Sequence, residues 1–434
     1  MDFEQSCKEA KKTALSFKNP LIIFHYDTDG ITSGSIVISA FREKMQKHRS
    51  KWIKKLDNEN FEKLEKEKEI IFVDLGGGNE RVNELKDVLI IDHHQTKNIE
   101  KLQINPLLFG MDGGTELSAA GTAYSVFQNH IDLAIVGAVG DMQYPLIGKN
   151  RELLEKGIKE KKLELLTDLK LYGRSSRPLP QFLAYSDDVY IPGITNREEN
   201  VYKLLEDLKI EVKDGERLRN YIDLNEKERK KLISTLINIL IENNKKPRDL
   251  IGEVYLLKTR PLKSDLYDAS EFSTILNACG RHGYADLGVQ ICLEEKGAYE
   301  KGLELLKLHK QKIREGIEFA KANMQDFSDF YFLNGIGVID EGIIGIVCGM
   351  VLPYNSKKPM FGVSLGENNT LKISGRANRK LIEEGINLGS AISKVCKSVG
   401  GSGGGHSIAA GASIQRNSLN EFLKEIGKII RQRT

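Results

Sequence analysis

The sequence predicts an α/β protein, with an N-terminal domain built on a doubly wound parallel sheet, a helical connector and a smaller C-terminal α/β domain. Two observations carry this prediction. Over the first 150 residues, short apolar segments alternate with stretches of helical periodicity, an order typical of a parallel sheet with helices on both faces. Several of these segments also end directly before an aspartate or a histidine, as expected at the carboxyl edge of such a sheet, where ligands bind.

The N-terminal domain is predicted to span residues 1–150. Its apolar runs predict strands and its amphipathic runs predict helices. The predicted order is a helix at about 4–17, a strand at 21–24, a helix at about 33–47, strands at 70–73 and 88–91, a helix at 119–127 and a further apolar segment at 134–139. Residues 49–69 are rich in lysine and glutamate, and we interpret them as a solvated helix or an insertion.

Residues 151–330 are predicted to form a helical connector. Within it, residues 152–170 and 216–244 are charge-rich and carry leucine and isoleucine at helical spacing. A long amphipathic helix is predicted at about 301–324. The connector therefore differs in character from the alternating strands and helices before it.

The C-terminal domain is predicted to span residues 331–434. At about 100 residues it is long enough to form a domain of its own. Its predicted elements are a strand at 336–339, a helix at 345–352, strands at 360–363 and 370–374, a helix at 387–399, and a glycine-rich loop at 400–405 that leads into an apolar run ending at Ile414.

Length and composition limit the class of protein. A chain of 434 residues is expected to hold two or three domains, and 40% hydrophobic with 29% charged residues is typical of soluble globular proteins. No apolar run approaches the roughly 20 residues that span a bilayer, and no basic segment precedes an apolar one at the N-terminus, so we expect a cytoplasmic protein without a membrane partner. Five cysteines without CxxC spacing favour buried thiols over disulfides. The net charge of +3 leaves nucleic acid open as a partner, since acidic metal ligands can offset a basic groove.

Aspartate and histidine side chains follow four apolar segments of the N-terminal domain. These residues are His25, Asp27, Asp29, Asp74, Asp92, His93, His94 and Asp141. Asp27 and Asp29 are two positions apart, so on an extended strand exit their carboxylates would point to the same side and repel each other unless a cation lies between them. Each segment alone has a simpler explanation as a turn, a helix cap or a surface histidine. Together, at successive predicted strand ends of one sheet, they predict a metal site with oxygen and nitrogen ligands.

These residues also carry a resemblance to a known family. In order, they resemble the four motifs of the DHH phosphoesterase superfamily, which here read His25-x-Asp27-x-Asp29, Asp74, Asp92-His93-His94 and Gly140-Asp141. The string Gly403-Gly404-Gly405-His406 resembles the glycine-rich signature of the C-terminal domain associated with that superfamily. Within the superfamily, the sequence resembles the archaeal RecJ-like single-strand exonucleases, and the strings at 271–281 and 373–376 are similar to that group as well.

The resemblance implies a catalytic centre with two divalent cations, Mn²⁺ with Mg²⁺ as a substitute. Asp74 would bridge the ions, one of which would also be bound by His25 and Asp27, and the other by Asp29, His93 and Asp141. Carboxylates with imidazoles suit Mn²⁺ better than softer metals. Two such ions can lower the pKa of a bridging water and neutralise the entering and leaving oxygens at phosphorus. Asp92 is expected to orient a histidine, and His94 to face the phosphate or donate to the leaving oxygen.

A second set of residues is predicted to contact the substrate. Backbone N–H groups of the glycine-rich segment can approach a phosphate closely, and His406 adds a side-chain donor. Arg376, at a predicted strand end, would form a fork for phosphate, with a surface salt bridge as the alternative. The predicted substrate-binding residues are Asn277, Arg281, Ser374, Arg376, Gly403, Gly404, Gly405 and His406, of which Asn277 and Arg281 rest mainly on the resemblance.

The predicted function is that of a two-metal, Mn²⁺-dependent exonuclease that hydrolyses single-stranded DNA or RNA from an end. The substrate would lie in a groove between the two terminal domains that is too narrow for duplex. Two alternatives stay open: a phosphodiesterase for oligoribonucleotides or cyclic dinucleotides, and a replication scaffold without catalysis. The long connector favours a polymeric substrate, and the presence of every expected ligand favours catalysis. The resemblance also implies replication partners of the GINS type or RNA-processing partners.

Overall fold

The computed structural model describes residues 2–185, 189–353 and 356–432. The chain divides into two compact units, the N-terminal unit Met1–Leu303 and the C-terminal unit Glu304–Thr434. The predicted division into three parts, at about 150 and 330, stays a prediction. Among the described helices, none has both the length and the apolar character needed to cross a bilayer.

The N-terminal unit contains a five-stranded sheet, two small two-stranded sheets and most of the helices. Its strands are β1 (Leu21–His25), β2 (Arg49–Ile53), β3 (Glu69–Val73), β4 (Asp87–Ile91), β5 (Leu102–Ile104), β6 (Leu163–Leu169), β7 (Lys213–Asp214), β8 (Arg217–Leu218) and β9 (Ile251–Leu257). Its helices are α1 (Phe3–Ser16), α2 (Thr28–Glu43), α3 (Asn58–Leu64), α4 (Ala119–Phe127), α5 (Ile131–Gly140), α6 (Gly148–Lys159), α7 (Leu179–Ala184), α8 (Glu198–Asp207), α9 (Glu226–Glu242), α10 (Ala269–Arg281) and α11 (Ala285–Cys292). Helix α12 (Ala298–Asn323) runs across the boundary between the units, close to the predicted helix at 301–324.

The five-stranded sheet is parallel throughout, with the strand order β2-β1-β3-β4-β5. Its central strands are continuous apolar runs, such as Ile70–Val73 and Val88–Ile91, and are buried on both faces. The predicted parallel sheet is thereby confirmed. The strand order changes direction between β1 and β3, and in open α/β sheets a crevice forms beyond the carboxyl ends of such a pair.

The apolar segment at 134–139 belongs to helix α5, so the prediction of a fourth strand end before Asp141 is wrong. Residues Ile131–Val139 are buried on every side of this helix. A helix that is apolar all round has no amphipathic stripe, and a short apolar run of this kind cannot be told from a buried strand by periodicity. Asp141 is instead the residue that ends α5.

Two segments for which no strand was predicted contain strands. Residues 49–53 form β2, which pairs with β1 at the edge of the sheet, and α3 follows it. Three of its five residues are exposed, so its charged side chains face solvent and hide the strand pattern. Residues 152–170 divide into the end of α6 and the strand β6, which pairs antiparallel with β9.

The C-terminal unit is a six-stranded mixed sheet with helices. Its strands are β10 (Gln325–Asp326), β11 (Tyr331–Asn334), β12 (Met360–Leu365), β13 (Thr370–Arg376), β14 (Ser402–Gly405) and β15 (Ala409–Gln415), in the order β10-β11-β12-β13-β15-β14. Its remaining helices are α13 (Ile344–Val351), α14 (Arg379–Glu383), α15 (Leu388–Val399) and α16 (Leu419–Arg431).

Two predictions in the C-terminal unit are corrected. The strand lies at 331–334 rather than at 336–339, where the chain makes a turn with Gly337 at φ +76°. Ile339 is apolar because it is buried in a hydrophobic cluster that includes Leu333 and Ile344. The glycine-rich segment at 400–405 is also not simply a loop, because its last four residues form the edge strand β14, paired with β15.

The five cysteines all lie among the described residues, where each is buried and unpaired. Burial raises the pKa of Cys7, Cys279, Cys292 and Cys348 to about 12. These thiols are therefore packing residues that stay protonated at neutral pH.

Candidate metal centre

The carboxyl ends of β1 and β3 bring His25 and Asp74 together. His25 is the last residue of β1, and Asp74 directly follows β3. His25 Nδ1 lies 3.3 Å from Asp74 Oδ2. Asp74 has φ +63°, and its N–H donates to the carbonyl of Ile91 at 2.8 Å. A left-handed conformation is uncommon for a residue other than glycine and is found preferentially at functional sites, which makes Asp74 the most distinctive backbone position of the centre.

The segment after β1 places Asp27 and Asp29 in different surroundings. Helix α2 begins at Thr28 rather than near residue 33, so the two carboxylates do not leave an extended strand side by side as predicted. Asp27 caps α2 through Gly30 N–H, and its Oδ2 lies 2.9 Å from His25 Nδ1. Asp29 is buried in the first turn and accepts the N–H groups of Ala119 and Ala120 at the start of α4, at 2.7 and 2.9 Å.

Asp92, directly after β4, is fully buried and accepts several hydrogen bonds. Its two carboxylate oxygens accept from Gly77 N–H at 2.9 Å, His93 N–H at 2.8 Å and His94 Nδ1 at 2.8 Å. Burial favours the neutral acid, but these contacts, those of His94 above all, outweigh it and lower the pKa of Asp92 to about 2. The side chain of His94 is 56% exposed, so Asp92 fixes one side of a ring whose other side is open to solvent.

His93 is oriented by a backbone carbonyl. Its Nδ1 lies 2.6 Å from the oxygen of Gly113, and its Nε2 lies 3.2 Å from Asp74 Oδ1 and 3.7 Å from Asp29 Oδ2. The first contact keeps a proton on Nδ1, because a carbonyl can only accept, so Nε2 is the ring nitrogen that faces the carboxylates. A Cβ on Gly113 would lie 2.0 Å from the carbonyl oxygen of His93, so only glycine permits this approach.

Asp141 is held by Gln143, a residue that the sequence argument did not identify. Gln143 is buried, and its amide donates to Asp141 Oδ2 and to the carbonyl of Gly113, both at 2.8 Å. Its own oxygen accepts from Asn150 at 2.7 Å. Gln143 therefore links the supports of Asp141 and His93. Its spacing of two residues from Asp141 was the only sequence signal for this role.

Three groups of side chains have ligand atoms close enough to share a cation. They are His25 with Asp27 and Asp74, Asp74 with His93 and His94, and Asp29 with His93 and Asp141. All six residues predicted as ligands are among them, whereas Asp92 belongs to none of these groups. Within the described ranges 2–185, 189–353 and 356–432, the buried atoms His25 Nδ1 and Asp74 Oδ1 lie close to charged neighbours but form no hydrogen bond of acceptable geometry. Buried polar atoms are rarely left in this state, so the donor set fits divalent cations bound by oxygen and nitrogen.

Comparisons with known proteins cover most of the chain. The N-terminal domain of the DHH family matches residues 19–150, the DHH-CID domain matches 171–252, and the DHHA1 domain matches 331–432. An uncharacterized protein of Methanocaldococcus jannaschii is 30% identical, and the alignment covers 98% of each chain. The chain belongs to the DHH family. The predicted membership of the DHH superfamily is thereby confirmed, and the fold is similar to that of RecJ.

Solved structures share the fold of this DHH protein. RecJ from Thermus thermophilus in complex with Mn²⁺ has a TM-score of 0.60 at 16% identity, and the match covers 99% of this chain. It covers 55% of the RecJ chain, so the DHH protein spans about half the length of that relative. CDC45 from Entamoeba histolytica has a TM-score of 0.64 at 15% identity, covering 99% of this chain and 98% of its own. Family and fold together suggest a hydrolase, and the carboxylate and imidazole groups support metal binding.

The pKa values of the aspartates and histidines in this DHH centre are set by burial and by the charges of their neighbours. Burial lowers the pKa of His25 and His93, but the carboxylates that face them, of Asp27 and Asp74 respectively, outweigh it and hold both values well above the ordinary one. Burial and then the charge of Asp74 raise the pKa of Asp29 to about 8. Burial likewise raises the pKa of Asp141. In the metal-free protein, the centre thus holds protons where cations would compensate its negative charge.

Asn277 and Arg281, predicted to bind substrate, lie on α10. Asn277 Oδ1 accepts the N–H of Thr28 at 3.3 Å, and Thr28 Oγ1 donates to the carbonyl of Ser273 at 2.8 Å. A Cβ on Gly280 would lie 1.7 Å from the carbonyl oxygen of Tyr26. Helix α10 therefore packs directly on the segment that carries His25, Asp27 and Asp29. Asn277 has a structural contact there, and a role in substrate binding stays a prediction.

The other predicted substrate-binding residues lie in the C-terminal unit. Ser374 is buried, and Arg376 ends β13 half-buried, beside Gly345 of α13. The register aligns Ser374 with Gly411 of β15, and Gly411 with Gly404 of β14. The adjoining Gly403 and Gly405 are required by packing and by backbone conformation, since a Cβ on Gly403 would lie 2.7 Å from Cys396 Sγ and Gly405 has φ +136°. Gly404 faces open space and His406 is exposed, so neither is explained by packing.

Proposed function

We propose that this DHH protein is a metal-dependent phosphodiesterase that hydrolyses single-stranded DNA or RNA from an end. The observation that carries the proposal is the convergence of seven carboxylate and imidazole side chains in three ligand groups, of which Asp74 and His93 each belong to two. A shared carboxylate is what a pair of cations needs for a bridge. The structural neighbours include the exonuclease RecJ bound to manganese, which supports the nuclease assignment.

In this proposal, Asp74 would be a ligand of both of two Mn²⁺ ions, with Mg²⁺ as a substitute. His25 and Asp27 would complete one ligand set, and Asp29, His93 and Asp141 would complete the other. When bound, two such ions activate water and offset the charge that develops on the oxygens at phosphorus. The pair Asp92 and His94 would act on the substrate, because Asp92 holds His94 Nδ1 and leaves Nε2 of the exposed ring to donate to a phosphate or leaving oxygen.

The proposed substrate contacts outside the centre are Asn277, Arg281, Ser374, Arg376, Gly403, Gly404, Gly405 and His406. Among them, Gly404 has open space where a Cβ would lie and His406 is exposed, so packing explains neither residue. Backbone N–H groups and an imidazole are donors suited to phosphate oxygens. A substrate held through several phosphates binds more weakly as salt rises, by roughly 0.7 log units per log unit of salt for each neutralised phosphate of a single strand.

The test is digestion of matched single-stranded DNA and RNA, each labelled at either end, with Mn²⁺, Mg²⁺ or EDTA. We expect metal-dependent ladders that start from one end of the strand, and resistance of a blunt duplex. An endonucleolytic pattern, efficient digestion of blunt duplex or activity in EDTA would contradict the proposal. Activity confined to dinucleotides or cyclic dinucleotides would favour the small-substrate alternative.

Partners of the replication or RNA-processing machinery form a separate part of the proposal. The structural likeness to CDC45 extends over nearly the whole of both chains, which supports a search for a GINS-type partner. Co-purification of the tagged chain with candidate partners, repeated with an Asp74→Asn variant, would separate association from catalysis. A chain that associates but never hydrolyses would support the scaffold alternative.

A further inference from the structure

A cavity of about 320 Å³ lies where the loop after Asp141 meets the residues around β6, β9 and the start of α10. Its walls include Tyr144, Lys170, Tyr172 and Arg248 over a floor that contains Val139 and Val254. Val139 and Tyr144 flank Asp141 in sequence, and three peptide units span at most about 11 Å. A phosphate at the metal centre would therefore have its neighbouring nucleotide within reach of this cavity.

The loop that carries Tyr144 is fixed in place. The N–H of Leu146 donates to the hydroxyl of Tyr255 at 3.1 Å, which donates to Glu253 Oε2 at 2.6 Å. Glu253 Oε1 in turn accepts from Arg151 at 2.8 Å. Because β9 anchors the loop in this way, the aromatic wall is preorganised, and little ordering is left to be done on binding.

The position of Lys170 depends on a glycine at residue 252. A Cβ on Gly252 would lie 2.4 Å from Lys170 Cδ, so the bare backbone of Gly252 lets Lys170 lie across β9. Its ammonium reaches 4.7 Å from the ring centroid of Tyr144, which is itself 41% exposed. Tyr172 is held by its hydroxyl, which donates to Asp265 at 3.2 Å. Two tyrosine rings and a cation thus form a wall with fixed geometry.

The carboxylates of the cavity are engaged within the protein. Asp268 accepts from Ser270 N–H at 2.8 Å as the cap of α10, and buried Glu271 accepts from Ser175 N–H and Ser176 Oγ. The half-buried Lys170 and the exposed Arg248 contribute positive charge. Aromatic faces with adjacent cations are the chemistry that binds a nucleobase and its phosphate. A single exposed tyrosine would mean little, but here it borders a cavity of the size that small ligands occupy.

We infer that this cavity is a nucleotide subsite, in which a base of the single-stranded substrate stacks on Tyr144 while Lys170 and Arg248 face its phosphate. The inference deepens the proposed function and rests on it for the identity of the substrate. The subsite would give a function to residues around β6 and β9, which were predicted only as part of the helical connector.

The test measures binding of a fluorescent 12-nucleotide DNA strand in EDTA, where hydrolysis is prevented. Tyr144→Ala and Tyr144→Leu should weaken binding roughly 5- to 150-fold, the range for loss of one base–aromatic stack, while Tyr144→Phe should bind like the wild type. Tyr202→Ala, an equally exposed tyrosine on α8, is the matched control and should bind like the wild type. An abasic strand of the same length should bind the wild type and Tyr144→Ala alike, since it has no base to stack.

The outcomes separate this inference from the proposed function. Equal losses on the normal and abasic strands, unchanged binding by Tyr144→Ala, or no binding by the wild type would each overturn the subsite. Tyr144-dependent binding by a wild-type protein that hydrolyses nothing in Mn²⁺ would leave the subsite standing and overturn the phosphodiesterase. If the protein hydrolyses the strand but Tyr144→Ala binds it like the wild type, the phosphodiesterase would stand and the subsite would be overturned.

Discussion

Asp74 has a left-handed backbone conformation, and its buried carboxylate belongs to two ligand groups. Both properties determine which substitution tests its role. Alanine would strain the backbone at φ +63°, whereas asparagine tolerates that conformation and removes only the charge. We expect Asp74→Asn to lose hydrolysis by several orders of magnitude and to bind fewer Mn²⁺ ions. Its metal-free form should still fold, because asparagine keeps the size of the side chain and tolerates the backbone conformation.

Kinetics, calorimetric metal titration and thermal unfolding in EDTA would check the three parts of this expectation. Near wild-type hydrolysis by Asp74→Asn would exclude the bridge. Loss of activity with a strongly lowered melting temperature would instead show that Asp74 acts through folding.

The raised proton affinities of the centre predict a pH dependence in the metal-free protein. A folded-state pKa above the unfolded value means that the folded protein binds more protons, so the free energy of unfolding falls as pH rises. For Asp29 the window runs from its ordinary 3.8 to about 8, and for His25 and His93 it opens above 6.5. The lowered pKa of Asp27 acts only at acidic pH.

We therefore expect the melting temperature in EDTA to fall between pH 6 and pH 8, and Mn²⁺ to raise it more at pH 8, where fewer protons compete for the ligands. Thermal unfolding followed by circular dichroism measures both. A stabilisation by Mn²⁺ that is larger at pH 6 would contradict the pKa directions.

Gln143 provides a third test, of a residue that touches no proposed substrate. Gln143→Leu keeps the volume but removes the donors to Asp141 and Gly113. Loss of such an outer hydrogen bond lowers metal affinity or activity by about 10- to 100-fold. The control is Met142→Leu, a change at a neighbour that is 75% exposed. Equal activity of both variants would show that Gln143 does not support the metal centre.

The sequence indicated the candidate ligands but, apart from Asp92, not the groups that hold them in place, for a physical reason. Aspartate and histidine after an apolar strand are unusual enough to be noticed, as His25, Asp74 and His93 were. The support of His93 is the carbonyl of Gly113, twenty residues away, and a backbone carbonyl leaves no mark on residue type. Such a contact is created by tertiary packing and has no local pattern.

Among helices and strands, the errors fall where burial departs from amphipathic periodicity. Helix α5 is buried on all sides and resembles a core strand, whereas β2 is an edge strand whose exposed charges resemble a solvated helix. The central strands and the helices α4, α13 and α15 have the pattern that their burial requires, and their predicted positions agree with the structure to within a residue or two.

The contact of α10 with the first motif predicts a sensitive position at Gly280. Gly280→Ala places a methyl group 1.7 Å from the carbonyl oxygen of Tyr26, so either α10 or the segment from His25 to Asp27 must move. We expect a loss of about 1–3 kcal/mol in the free energy of unfolding, typical of overpacking, together with weaker Mn²⁺ binding. Thr274→Ala, on the same helix, should do neither. Urea unfolding and metal titration measure the two effects, and a tolerated Gly280→Ala would disprove the tight packing.

Across the whole chain, the two units hold different parts of the proposed machinery. Every residue of the three ligand groups belongs to the N-terminal unit, and Ser374, Arg376, the glycine-rich strand and His406 belong to the C-terminal unit. The sequence predicted both sets, because each is a short local motif. It could not predict the cavity beside Tyr144, whose walls come from segments that are up to about 130 residues apart in the chain.

This division predicts that changes in the C-terminal unit affect the substrate and spare the metals. His406 is exposed and Gly404 has open space around its Cα, so His406→Ala and Gly404→Ala should fold normally. Losing a hydrogen bond to a charged phosphate, worth about 1.5–3 kcal/mol, implies a fall in kcat/KM of roughly 10- to 100-fold for His406→Ala. The fall appears in kcat if the contact forms mainly at the transition state and in KM if it forms equally in the ground state.

The exposed Gln432→Ala is the control from the same unit. Calorimetric titration should find the wild-type number of Mn²⁺ ions in all three variants. A lost ion in His406→Ala would mean that His406 serves the metal centre, and unchanged cleavage by it would remove His406 from the substrate site.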